Sequence, residues 1–235
     1  MALFAALSAT SHEAVTLPQK TVATVFTLKA GTAGEQAIDL KNQFASTEKS
    51  IRSFLEAARV SWNLPVFLIA ATADQYRSSW VEPSLASVLA AAKADPNNAE
   101  VASALIFFVA RALHFVEPNG SYQQAQQILL EHHSNHPAIG ELATQLKHGW
   151  YDKQGIALLL KIHQNHADLA VRKIARASLA CIYKDQAGWA KWHKEFGTKN
   201  PENIAFSNCT TFIAAFKELD QTDPETLLAE SRKYQ

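Results

Sequence analysis

The pattern Leu-Leu-x-x-His-x-Asn-His occurs twice, at Leu129–His136 and thirty positions later at Leu159–His166. In both places an apolar run gives way to a polar turn, after which a second apolar run begins. A third stretch, LAAAKADPNNAEVA from Leu89, follows the same plan. Self-similarity on this scale marks stacked supersecondary units, each too small to bury its apolar face alone. Setting Asp95-Pro96 against His136-Pro137 gives a spacing of forty-one, and the next pair a spacing of thirty. That is too irregular for a tetratricopeptide or ankyrin array, whose signature residues do not recur in register here. The expectation is an all-α fold, an irregular array of stacked antiparallel helical hairpins forming an α-α superhelix.

Composition agrees with helix. Glycine and proline number only eight each in 235 residues, and nearly half the chain is apolar, enough for a sizeable core. Lys plus Arg and Asp plus Glu are both 22, so the broad cationic surface that captures nucleic acid is not expected. The longest apolar runs, Leu64–Ala73 and Ala104–Ala110, are about half the roughly 20 residues of a membrane helix, so no membrane insertion is expected. MALFAALSAT at the start lacks a basic n-region; a cytoplasmic and an exported location both stay open.

Residues 1–33 read as an N-terminal arm, with a short β-branched strand in Thr21–Gly31, and residues 34–235 as one helical-repeat domain. The helical period begins near Glu35, with Phe44, Ile51, Phe54, Leu55, Ala58 and Trp62 on one stripe before Asn63–Pro65 ends it. Ser84 is a candidate N-cap for a helix buried through Leu85, Val88, Leu89 and Ala92. The next helix starts at Asn97 or Asn98 and is apolar nearly all round, from Val101 to Leu113, so it should lie between neighbours. Ser121 caps a helix burying Tyr122, Ala125, Ile128 and Leu129. Ile139, Leu142, Ala143 and Leu146 face the core from the next.

Asp152 starts a helix burying Ile156, Leu159, Leu160 and His163. Val171, Ile174, Ala175, Ser178, Leu179 and Ile182 are the buried set of its successor. A separate element, Ala187–Gly197, places Trp189, Trp192, His193 and Phe196 on one side, and Cys209, Phe212, Ile213 and Phe216 repeat that spacing. Thr222 with Glu225 reads as a capping box, Pro224 fits the first turn, and the sequence reaches Gln235 without a helix stop signal. That combination suggests part of a longer polypeptide.

The histidines admit two readings. His132 and His136 are four apart, His163 and His166 three apart; both spacings put two imidazoles on one helix face. With His133 they would form a zinc or copper site, making the chain a small-molecule or metal-binding helical protein. No Cys or H-E-x-x-H glutamate completes a ligand set. The favoured reading is structural: imidazoles at helix C-termini meet the negative end of the dipole and donate to free carbonyls. No catalytic, cofactor-binding or metal residues are therefore assigned. Cys181 and Cys209 read as buried, unpaired thiols on apolar helix faces. Arg172, Lys173 and Arg176 read as a solvated basic face, and Trp189 and Trp192 as inter-helix packing. Glycine-rich phosphate loops and G-x-S-x-G are absent from the sequence.

From about Ala91 to Tyr183 the chain resembles the helical region that precedes the thioredoxin-like domain in some bacterial thiol–disulfide oxidoreductase-like proteins. The resemblance rests on Leu129-Leu130-Glu131-His132-His133, Pro137, and the Val171-Arg172 to Ala180 helix. It implies an accompanying helical domain, a protein partner or fused domain, and no cofactor in this chain. The chain itself carries no C-x-x-C, so it cannot perform dithiol exchange by that mechanism. A non-catalytic scaffold or protein-interaction domain is the expected function.

Overall fold

The computed structural model describes residues 31–62, 81–112, 120–149, 151–197, 216–219 and 221–235. Among these, α-helix dominates and no strand occurs. The helices are α1 (Ala33–Trp62), α2 (81–94), α3 (Ala99–Ala112), α4 (Gly120–His132), α5 (Ile139–Leu146), α6 (Lys153–Asn165), α7 (Leu169–Trp192) and α8 (Pro224–Lys233). Residues 216–219 form a further helical turn, and a π-helical turn, His193–Gly197, continues α7. The predicted strand in the N-terminal arm, the Asn63–Pro65 helix end, and Leu113, Cys209, Phe212 and Ile213 lie outside the described residues. So do the side chains of Ile51, Phe54, Leu55, Ala58, Trp62 and Phe196. No described helix is long and apolar enough to cross a membrane.

Short polar turns reverse the chain after α2, α4 and α6. α3 packs on α1, α4 and α5; α4 also leans on α6, and α5 on α7; α7 closes against α6 and α8. One continuous cluster of buried apolar side chains runs from α1 to α8. This is the expected irregular helical array.

At its centre α3 is buried on nearly every side, including Val101, Ala102 and every residue from Ala104 to Ala110. The Asn98 side-chain oxygen starts the helix by accepting from the N–H groups of Glu100 and Val101 at 3.0 and 3.1 Å. Phe44 of α1 meets Phe107 and Phe108 edge-to-face, with ring centres 5.9 and 5.3 Å away, the orientation that the ring quadrupole favours. Arg111 then ties three helices together. Its guanidinium lies 3.4 Å over the Phe107 ring, donates to Glu48 of α1 at 3.0 Å and reaches Glu141 of α5 at 3.3 Å.

Several expectations at helix ends need correction. Ser84 is buried inside α2, which is already helical at Val81, and Ser121 lies inside α4, which is helical from Gly120. In both, helix continues upstream of the polar residue, so a serine there is not a cap. Thr222 and Glu225 make no capping box. Pro224 occupies the first helical turn, Asp223 stands at the N-cap, and the Thr222 hydroxyl donates back to the Glu218 carbonyl at 3.2 Å. A capping box does form where none was expected. Thr32 N–H donates to the Glu35 carboxylate at 2.8 Å, and Glu35 N–H returns a bond to the Thr32 hydroxyl at 3.3 Å. The Thr32 N–H, and then the Thr32 hydroxyl donating to the same carboxylate at 3.0 Å, hold the Glu35 carboxyl below its usual range.

The buried face of α6 is turned by about one position. Gly155, Leu158, Leu159 and Ile162 are buried, whereas Ile156, Leu160 and His163 are half-buried. The reason is Gly155: a Cβ there would stand 2.9 Å from the Leu146 side chain and 2.7 Å from the Asp152 carboxylate. Its lack of a side chain lets α6 approach α5 on that side.

α7 is one 24-residue helix rather than two elements. Its expected buried set holds except for Ile174, which is 36% exposed beside Gly140. Cys181 is also exposed, contrary to the expected buried thiol, and it is free. It falls on an exposed flank of α7. Cys181 is therefore expected to react with a thiol reagent in the folded protein at close to the rate of a denatured control. Protection of more than about tenfold would contradict its placement. Trp189 and Trp192 meet edge-to-face at 5.8 Å, as expected for packing, although Trp192 stays 38% exposed.

Candidate functional site

The turns after α2, α4 and α6 lie side by side along one edge of the array and contain most of the histidines singled out above. Each turn is built around a side chain two residues before a backbone N–H that it accepts. Asn98 takes the N–H of Glu100 through its oxygen. His136 takes the N–H of Ala138 through Nδ1 at 3.1 Å, and His166 takes that of Asp168 through Nδ1 at 3.0 Å. Asn98, His136 and His166 are thus the equivalent positions. This replaces the alignment of Asp95-Pro96 with His136-Pro137. Proline recurs in both turns but at different places in the bend, so a proline match misjudges the register.

The same side chains connect one turn to the one before. With Nδ1 an acceptor, the ring proton sits on Nε2. His136 Nε2 then faces the Ala99 carbonyl at 3.1 Å, and His166 Nε2 the His136 carbonyl at 3.5 Å. His133 adds a contact of 2.6 Å from Nε2 to the Pro96 carbonyl, and Asn135 accepts from the N–H of Ala167 at 3.1 Å. Lys161 of α6 supports the edge by donating to the Leu130 carbonyl at 2.6 Å.

The roles of the histidines therefore differ from expectation in one respect. Ala138 is the N-cap residue of α5 and Asp168 that of α7. His136 and His166 serve the start of the following helix through Nδ1, rather than neutralising the C-terminal dipole of the preceding one. A neutral imidazole suits that place, because a positive charge near a helix N-terminus is unfavourable. Burial, the largest cause, lowers the pKa of both His133 and His136 from the ordinary histidine value. The bonds to Pro96 and Ala99 oppose that shift.

His132 and His163 stand apart from this pattern. His132 is exposed, 3.8 Å from the Glu131 carboxylate. His163 packs edge-on against Tyr234 of the C-terminal segment at 5.7 Å, and its Nδ1 is buried without a hydrogen-bond partner. The five histidines do not converge, and among the described residues no three His, Cys, Asp or Glu side chains are placed to share a metal ion.

A second polar cluster was not singled out from sequence. Tyr122 of α4 donates to Asp152 at 2.8 Å, Gln126 Nε2 donates to the same carboxylate oxygen at 2.6 Å, and Gly155 N–H donates to its other oxygen at 3.0 Å. All three side chains are buried. Burial, then the Asp152 charge, drives the Tyr122 phenol well above its usual range, so the phenol stays protonated and serves as a donor. The cluster holds the head of α6 to α4. The sequence signals were an N-cap aspartate, already read as such, and a Tyr-x-x-x-Gln pair whose i, i+4 spacing puts both side chains on one face.

Further long-range polar contacts among the described residues also join helix to helix. Ser178 of α7 donates to the Ala143 carbonyl of α5, and Ser231 of α8 to the Ala180 carbonyl of α7, both at 2.8 Å. Arg176, exposed as expected, donates to the Tyr234 carbonyl at 3.1 Å, and Tyr183 stacks on Tyr234 with ring centres 5.8 Å apart. No protein-family model, no curated protein and no solved structure matches this chain.

Proposed function

We propose that this chain is a non-catalytic helical scaffold whose turns are copies of one unit. It would bind a protein partner or hold a domain fused to it. The resemblance of Ala91–Tyr183 to the helical region beside a thioredoxin-like domain makes such a domain the first partner to consider. The observation that carries the reading is the use made of the conspicuous polar side chains. His133, His136 and His166 each turn a ring nitrogen to the backbone of the preceding turn. They do so where a binding protein would aim them at a ligand.

Substitution at His136 tests this. Asparagine keeps an acceptor for the Ala138 N–H, as Asn98 does in its own turn, but cannot reach Ala99. His136→Asn is expected to cost about 1 kcal/mol and His136→Ala about 2 kcal/mol in urea unfolding. His166→Asn should cost a similar amount. Because His166 faces the His136 carbonyl, the double variant should depart from additivity by about 0.5 kcal/mol. Stoichiometric zinc or copper in the purified protein, lost in both single variants, would overturn the scaffold and install the metal-binding reading.

A further inference from the structure

We infer that the turn at His136 is a proton-sensitive joint, holding the head of α5 only while its imidazole is neutral. Acidification then loosens the array first at the head of α5. The inference concerns the joint itself and is independent of which partner the proposed scaffold carries.

The geometry makes the case. An imidazole that accepts a backbone N–H through Nδ1 and donates through Nε2 uses both nitrogens in the neutral state. Protonation of His136 places an N–H at Nδ1, directed at the N–H of Ala138. That amide cannot turn away without displacing the N-cap residue of α5. The imidazolium would also stand at the positive end of the helix dipole.

The bond from His136 Nε2 to the Ala99 carbonyl favours the cation, but burial outweighs it. α1 presents Lys41, whose charge further disfavours a cation there, and its own turn presents His133, itself beside His132. α3 presents Glu100, but that carboxylate lies over Gly34 of α1, and the next turn presents His166. The sign follows. A histidine more acidic in the folded than in the unfolded chain contributes stability that is fully present above about pH 6.5. That contribution is lost as the pH falls through the folded value. Asn98, in the equivalent position of the first turn, holds its amide with an oxygen that does not titrate. The turn at Asn98 should therefore be indifferent to acid while the turn at His136 responds.

Two measurements on the full chain test this. Nitrogen-15 spectra of the histidine side chains at pH 7.5, assigned with His136→Asn and His166→Asn, should place both residues in the Nε2–H tautomer. Amide exchange, corrected for the intrinsic pH dependence, should show protection at Ala138 falling about tenfold between pH 7.5 and pH 5, as for loss of one hydrogen bond. Protection at Val101 should hold, and in His136→Asn the fall at Ala138 should vanish. An Nδ1–H tautomer at His136 would overturn the inference. So would unchanged protection at Ala138, or an equal loss at Leu105 and Leu179 in the core, which would signify global destabilisation. The tautomer and the wild-type exchange profile decide the matter even where a variant fails to fold.

Discussion

Phe108→Ala is expected to lower the stability of the protein by about 3–5 kcal/mol, the range for emptying a buried aromatic site. The side chain has no exposure and sits edge-on to both Phe44 and Phe107, at 5.3 and 5.2 Å. It also lies on the helix that touches α1, α4 and α5, so the void would open between helices rather than at a surface that could close over it. Three conditions thus coincide: full loss of transfer energy, loss of two ring–ring contacts, and neighbours held in place by other packing. Urea unfolding with an unchanged denaturant dependence would measure it. A loss below about 1 kcal/mol would mean that α3 is not the centre of the array.

That site was legible in sequence because α3 is apolar on all sides, and such a helix has nowhere to go but between others. Legibility declined where a decision depended on a neighbouring element. The burial of Leu85, Val88, Leu89 and Ala92, and of Ile139, Leu142, Ala143 and Leu146, follows from period alone and holds. The face of α6 does not follow from period alone. Leu158, Leu159 and Leu160 are interchangeable by hydrophobicity, and the close approach allowed by Gly155 chooses among them.

Cys181 and Ile174 were misplaced for a similar reason. Period groups them with an apolar face, but both lie on an exposed flank of α7. Cap residues were the least secure, since a serine is equally at home inside a helix and the deciding factor is whether helix continues upstream. The histidines fall between these cases. Their recurrence pointed to a shared joint, and the structure has His136 and His166 making equivalent bonds. Which helix end each served turned on the ring nitrogen that accepts the N–H, and that is a matter of geometry two residues further on.

Asp152→Ala is expected to cost about 2–4 kcal/mol, because one carboxylate serves two purposes at once. It caps α6 through Gly155, a function whose loss costs about 1 kcal/mol. It also accepts the Tyr122 hydroxyl and the Gln126 amide inside the core, where removing the acceptor costs about 1–3 kcal/mol. Asp152→Asn should be milder. The Gln126 side-chain oxygen is buried without a hydrogen-bond partner, so rotation of that amide would present it to the new Asn N–H group and relieve the clash of two donors. Tyr122→Phe should cost about 1–2 kcal/mol, and combined with Asp152→Ala should show a coupling of about 1 kcal/mol or more, since both substitutions remove the same bond. Tyr122→Phe should also change the alkaline limb. A phenol whose folded pKa is raised contributes stability that is fully present below about pH 10 and is lost as pH rises past that value. The variant should therefore lose less stability than the wild type between pH 9 and pH 11. Full additivity of the two substitutions, with alkaline profiles that superimpose, would show that Tyr122 and Asp152 act separately and that the head of α6 is held by its apolar contacts alone.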